Sequence, residues 1–277
     1  MSRLRFTRSQ APSGEELLDT LVKLTGDVLD GIKLQQARVE LATALQRLML
    51  PSELPQVPGL RTSARYVPAR RGLDIGGDWY DAFTMGDGTF GVAIGDVQGH
   101  DAEAAAFVGQ VRTALRAVAG GTTTDPGAVL ARVNDLLVTM ACGLFVTCSF
   151  LRFDAAAGEL ADARAGHVPA VWADADGRSD IVLDAGGLPL GMFPGEEYPV
   201  TRHPLTAQGA FVLLTDGVVE GPEFPIERGL EAVAKLVGAG FDADPDVLAS
   251  EVLRVADLTG HDDDAAVVVL RYDGRPG

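Results

Sequence analysis

Gly91-Val-Ala-Ile-Gly-Asp-Val-Gln-Gly-His-Asp101 reads as an apolar strand that stops abruptly at a carboxylate, Asp96. Phe90 to Ile94 carries the apolar run of a buried strand, and Gly95 and Gly99 flank the acid where the backbone turns closely around something. Three other stretches set acids in similar frames: Gly76-Gly-Asp-Trp-Tyr-Asp81, Leu213-Leu-Thr-Asp-Gly217, and Asp262-Asp-Asp264 running into Ala265 to Leu270. Taken singly, each has a plain reading, because Asp-Gly pairs mark turns and acids beside strands cap loops. Four strand ends, each with an aspartate, point together to a hard divalent cation. Mg²⁺ and Mn²⁺ take carboxylate, carbonyl and water oxygens, and a glycine beside the acid lets the next backbone carbonyl, here that of Val97, approach the ion. Two such ions about 3.5–4 Å apart lower the pKa of a shared water and stabilise an in-line displacement at phosphorus.

Outward from that core the periodicity changes. Leu17, Leu21, Leu24 and Val28 form a helix seam, which resumes out of phase at Leu34, Ala37, Leu41, Ala44 and Leu48, with Gly31 marking the slip. Such a narrow stripe suits either a dimeric coiled coil or a helix lying on the domain that follows. Pro51 to Gly59 holds three prolines and a glycine, which places the domain boundary there: 1–50 a helical regulatory or dimerisation segment, 51–277 the main domain. Strands are expected at Leu60 to Val67, Asp78 to Met85 and Phe90 to Ile94. Two amphipathic helices follow, carrying Ala104, Phe107, Val108, Val111, Leu115 and Val118, then Val129, Leu130, Val133, Leu136, Leu137 and Met140. A meander is expected over Leu144 to Phe153, Glu159 to Ala165 and Ala170 to Ala173, then a loop from Ala185 to Pro199. A strand at Ala210 to Leu214, helices at Ile226 to Val237 and Pro245 to Ala256, and a strand at Ala265 to Tyr272 complete the chain. Runs of strands beside helix pairs indicate an α+β domain with antiparallel sheets covered by helices.

The 277 residues carry a net charge of −16, so a nucleic-acid phosphate backbone is repelled over most of the surface. Cys142 and Cys148 are the only cysteines and show no Cys-x-x-Cys spacing, which fits a reducing compartment. No stretch has the apolar length of a membrane span or a signal core, so a cytoplasmic location and no membrane partner are expected.

The ordered motifs carry a family resemblance. Gly-Gly-Asp78-Trp-Tyr-Asp, Gly-Asp96-Val through His100, Ala165-Gly-His-Val-Pro169, Leu190-Gly191, Thr215-Asp-Gly-Val-Val-Glu220 and Asp263-Asp-Ala-Ala266 occur in one order. Over about Leu48 to Tyr272 the chain resembles the PPM (type 2C) metal-dependent serine/threonine protein phosphatases, in the bacterial branch of RsbU and SpoIIE. The resemblance implies an αββα sandwich of two antiparallel sheets flanked by helix pairs, here with an N-terminal helical extension, and two Mn²⁺ or Mg²⁺ ions between the sheets. It implies that Asp96 touches both ions with the Val97 carbonyl beside it, that Asp78 serves one ion, and that Asp216 and Asp263 complete the other. Asp264 matches a position more often supportive than ligating.

The chain departs from the family pattern at Gln98, Asp101 and Val168. Asp101 reads either as a first-turn acid favourable to its helix dipole or as an added charge near the ions. His100 is a candidate general acid for the leaving oxygen, against a structural role. His167 is expected to orient its loop, while Arg70 and Arg71 lie near enough to Asp78 in sequence to meet phosphate. By resemblance the activity is hydrolysis of a phosphoprotein by metal-bound hydroxide, with no covalent intermediate. The implied substrate is a phosphorylated STAS-domain anti-sigma-factor antagonist in a partner-switching pathway. The helices before Pro51 match the position of a regulatory linker, with no recognisable sensor domain ahead of them, so a separate activator protein or a homodimer is expected to supply the signal. The rival readings are a pseudophosphatase binding module, against which stand all four acids, and a metal phosphoesterase for a small molecule.

Overall fold

The apolar runs beside the four aspartates are strands, and the sequence wraps helices around them. The structure is a computed structural model that describes residues 14–51, 53–69, 76–99, 102–141, 143–260 and 263–273. Its elements in chain order are α1 (Gly14–Met49), β1 (Leu60–Val67), β2 (Asp78–Thr84), β3 (Phe90–Val97), α2 (Ala102–Ala119) and α3 (Pro126–Met140). There follow β4 (Val146–Asp154), β5 (Glu159–Ala165), β6 (Val171–Asp174), β7 (Ser179–Ile181), β8 (Val200–Pro204) and β9 (Gly209–Leu214). The chain closes with α4 (Asp216–Val219), α5 (Ile226–Gly240), α6 (Pro245–Leu253), α7 (Ala256–Thr259) and β10 (Ala265–Tyr272).

Two five-stranded antiparallel sheets result, ordered β1-β10-β9-β6-β7 and β2-β3-β4-β5-β8. Period-two alternation divides each strand between two cores. In β3, Phe90, Val92 and Ile94 face the layer between the sheets, while Ala93 and Val97 face α2 and α3. In β10, Ala266, Val268, Leu270 and Tyr272 face that layer, and Ala265, Val267 and Val269 face α5 and α6. Both faces are covered, which is why these strands read as continuous apolar runs rather than as alternation. The expected αββα sandwich is the observed fold.

Three expectations change. First, β6 leaves the meander: β4 and β5 pair, but β6 pairs β9 in the opposite sheet, because Gly166 to Pro169 carries the chain across the sandwich. Second, the expected loop is bounded by the short strands β7 and β8, both at sheet edges. Third, α1 is one unbroken helix of 36 residues, about 54 Å long, that runs through Gly31. A glycine costs a helix interior only about 1 kcal/mol, too little to break it. Leu18, Leu21, Val22, Leu24, Val28, Leu29, Ile32 and Leu34 of α1 are 49–69% exposed. Among the described residues no helix is long and apolar enough to cross a membrane.

Candidate metal centre

Register builds the site. Asp78, at the start of β2, lies directly opposite Asp96 near the end of β3, as Tyr80 lies opposite Ile94. Opposed residues share a face, so the two acids continue the row Tyr80 and Ile94 that points between the sheets. From the other sheet, β9 ends and Asp216 opens the single turn α4. Carboxylate oxygens of Asp78, Asp96 and Asp216 lie within 4.8 Å of one another. Glycine makes this approach possible: a Cβ on Gly77 would overlap both Asp96 Oδ1 and the Val97 carbonyl oxygen. That coincidence puts the Val97 carbonyl beside the Asp96 carboxylate. The Val97 N–H in turn donates to the Gly77 carbonyl at 3.1 Å.

Three carboxylates held this close, Asp78 buried and Asp96 and Asp216 half-buried, repel one another. Burial, then the charges of Asp96 and Asp216, hold the Asp78 carboxyl well above the usual range, with a Thr215 hydrogen bond opposing. Burial, then Asp216, Asp263 and Asp264, push Asp96 up to about 8. Burial, then Asp263, raises Asp216. No salt bridge found among the described residues involves any of the three. An all-oxygen, multiply anionic donor set of this kind fits a hard divalent cation.

The remaining expected residues divide. Asp263 is exposed and stands outside the three-way cluster, with its Oδ1 accepting from the Asp264 N–H at 2.8 Å, yet its charge is felt by both Asp96 and Asp216. Asp264 is buried and already engaged: it accepts from the Ala69 N–H at 2.8 Å and from the Tyr66 hydroxyl. It therefore ties the end of β1 to the strand that follows it. His167 is buried; its Nδ1 lies 2.8 Å from Thr147 Oγ1, and Arg164 donates to its carbonyl at 3.0 Å. Burial pushes its imidazole down to about 3, so it is neutral and serves the loop. Gln98 is exposed, with its N–H donating to the Phe145 carbonyl at 3.1 Å. His100, Asp101, Asp262, Arg70 and Arg71 lie outside the described residues.

Two features of the neighbourhood escape a reading of the sequence. Thr215, beside Asp216, is fully buried and donates to Asp78 Oδ2 at 2.7 Å. Its signal is parity, since it continues the inward row Phe211 and Leu213 as a polar residue. Asp81 is the second. It lies three residues after Asp78, on the outer face of β2, and Arg116 grips it with Nε and Nη2, each at 2.7 Å. Arg112 adds a contact at 3.3 Å, and the Arg116 guanidinium rests 5.0 Å from the Phe83 ring centre.

Comparison with known proteins agrees with this geometry. The family described as Stage II sporulation protein E (SpoIIE) matches residues 86–273. The chain belongs to the SpoIIE family, within the PPM (type 2C) protein phosphatases. Among relatives, this SpoIIE-family chain is 26% identical to Protein IcfG of Synechocystis sp. over 86% of its own length and 40% of the relative's. It is 26% identical to Phosphoserine phosphatase RsbU of Bacillus subtilis, over 67% of its own length and 54% of the relative's. The chain thus spans about half or less of the length of these relatives. Among solved structures, the RsbU and RsbW domains of Rv1364c from Mycobacterium tuberculosis align with a TM-score of 0.72 and 31% identity, covering 83% of this chain and 64% of that one. The SiaA-PP2C domain of Pseudomonas aeruginosa aligns at 0.69 and 20%, covering 88% of this chain and 99% of that one, which shows the shared SpoIIE-type fold.

Proposed function

We propose that this chain is an active, metal-dependent phosphoserine/phosphothreonine protein phosphatase. The observation that carries the reading is the convergence of one buried and two half-buried carboxylates from two sheets, with no salt bridge to them among the described residues. Asp78, Asp96 and Asp216, with the Val97 carbonyl and Asp263, would hold two Mn²⁺ or Mg²⁺ ions, and Asp264 supports them from behind through Ala69 and Tyr66. Bound divalent ions supply an activated water and charge stabilisation at phosphorus. The chain's own residues do the rest: the inner rows of both sheets keep water from the base of the site, and Gly77 leaves room for the ligand oxygens. His100 is the candidate for handing a proton to the leaving oxygen.

A phosphoserine target is supported by the likeness to RsbU, named a phosphoserine phosphatase. The finer reading, a phosphorylated STAS-domain protein in a partner-switching pathway, rests on the motif resemblance. The exposed apolar residues along α1 support its use as a contact helix, either between two copies of the chain or with a separate activator. Removing residues 1–50 is expected to convert a concentration-dependent dimer mass into a monomer mass; a shortened chain that still dimerises removes that role.

The decisive test is hydrolysis of p-nitrophenyl phosphate and phosphoserine peptides with Mn²⁺. Asp96→Asn and Asp216→Asn are each expected to lose about 10²–10³-fold in kcat. Activity that survives both substitutions, or that needs no divalent ion, overturns the proposal.

A further inference from the structure

We propose that Thr215 is a positioning residue that fixes the Asp78 carboxylate for ion binding, through a hydroxyl relay spanning the two sheets. The inference rests on the metal reading above and extends it to a residue that is no ligand.

Thr215 is fully buried, and its Oγ1 has a defined hydrogen-bond polarity. The Ala266 N–H donates to Oγ1 at 2.8 Å, which uses an acceptor site of the hydroxyl. The hydroxyl has one proton to give, and two acceptors face it: the Ala266 carbonyl at 3.5 Å and Asp78 Oδ2 at 2.7 Å. The shorter contact, to the carboxylate that is an anion when it holds an ion, takes it. The chain of donors thus runs from the β10 backbone through Thr215 to Asp78 on the opposite sheet. Thr215 is the side chain that hydrogen-bonds the Asp78 carboxylate.

Such a relay does two things. It removes the rotational freedom of the Asp78 carboxylate about its last torsion, because one oxygen is pinned to a β-branched side chain that itself has little freedom. It also gives the anion a hydrogen bond in a place where burial and two like charges oppose it. Partners that orient metal-binding groups in this way change metal affinity rather than fold, and their loss weakens binding by about 10- to 100-fold.

The substitutions separate the hydroxyl from the methyl. Thr215→Val keeps the shape and removes the hydroxyl; Thr215→Ser keeps the hydroxyl and removes the methyl. Mn²⁺ uptake by the metal-free protein is read by titration calorimetry and by tryptophan fluorescence, with thermal melts in EDTA reporting whether each variant is folded. Thr215→Val is expected to bind Mn²⁺ about 10- to 100-fold more weakly and Thr215→Ser within about 3-fold of the parent. Parent-like affinity in a folded Thr215→Val overturns the relay, as does an equal loss in Thr215→Ser, which would assign the effect to methyl packing. If Thr215→Val does not fold, the Ser variant decides alone: retained affinity supports the relay and lost affinity overturns it. Failure of the parent protein to take up Mn²⁺ would strike the metal reading itself, which is a different result from parent-like binding by the variant.

Discussion

Asp78 and Asp81 stand three residues apart on one strand, both buried, and the chain treats them in opposite ways. Odd spacing sends them to opposite faces of the sheet. On the outer face Asp81 meets Arg116 and Arg112 of α2, so the chain carries its own countercharge and the pair fastens helix to sheet. On the inner face Asp78 meets two further carboxylates and a single hydroxyl. A buried acid with a built-in cation is part of the fold, whereas one surrounded by acids is completed from solution.

That contrast is open to direct attack. Asp78→Asn is expected to reduce aryl phosphate hydrolysis by about 10²–10³-fold while raising the metal-free melting temperature, because it removes a repelling charge. A fall in both would place Asp78 with the structural acids. Asp81→Asn should do the reverse. It leaves two arginines partly buried without their anion at a cost of about 3 kcal/mol, which lowers the melting temperature by roughly 6–12 °C, with activity retained in the folded fraction.

The pH dependence of the metal-free protein sharpens the comparison further. Asp96 is raised from its usual 3.8 to about 8, so between these values the folded state holds a proton that the unfolded state has released. Stability therefore falls as pH rises through that window. His167 has its pKa lowered and acts in the opposite sense, but only below its unfolded value of 6.5, so pH 6.5–8 isolates the carboxylates. Melting in EDTA is expected to fall by about 5 °C across that range, and by less in Asp96→Asn. A flat profile in the parent chain would mean that neither burial nor the neighbouring acids hold the Asp96 proton in place. The smallest effect is reserved for Arg116→Lys, which keeps the charge beside Asp81 but loses the two-pronged grip, at about 1 kcal/mol or 2–4 °C.

Much of the fold could be read from residue order because both faces of the central strands are buried. β10 falls at Ala265–Tyr272, the range its apolar run indicates, and the edge strand β1 also falls at the expected Leu60–Val67. β7 and β8 could not be read, since Ser179–Ile181 is three residues long and largely exposed, and Val200–Pro204 mixes arginine, histidine and proline at a sheet edge. The transfer of β6 to the other sheet was equally hidden, because sheet membership depends on distant partners rather than on local pattern. At the site, strand-end acids and glycines made Asp78, Asp96 and Asp216 visible. Thr215 was not, as a threonine at the end of a strand is unremarkable until its neighbour across the sandwich is known. The arginines that answer Asp81 sit more than thirty residues away on α2, beyond any local motif.

The acids also come from different layers, Asp78 and Asp96 from one sheet and Asp216 from the other. Bare, they are a wedge driven into one seam of the sandwich; with cations between them, the same atoms become a rivet. Binding then stabilises the closed seam by RT ln(1 + [L]/Kd), so the melting temperature should climb with Mn²⁺ concentration. Loading is expected to add to a fold that already stands without it, so the free divalent-ion concentration would set how firmly the two halves of the molecule are joined.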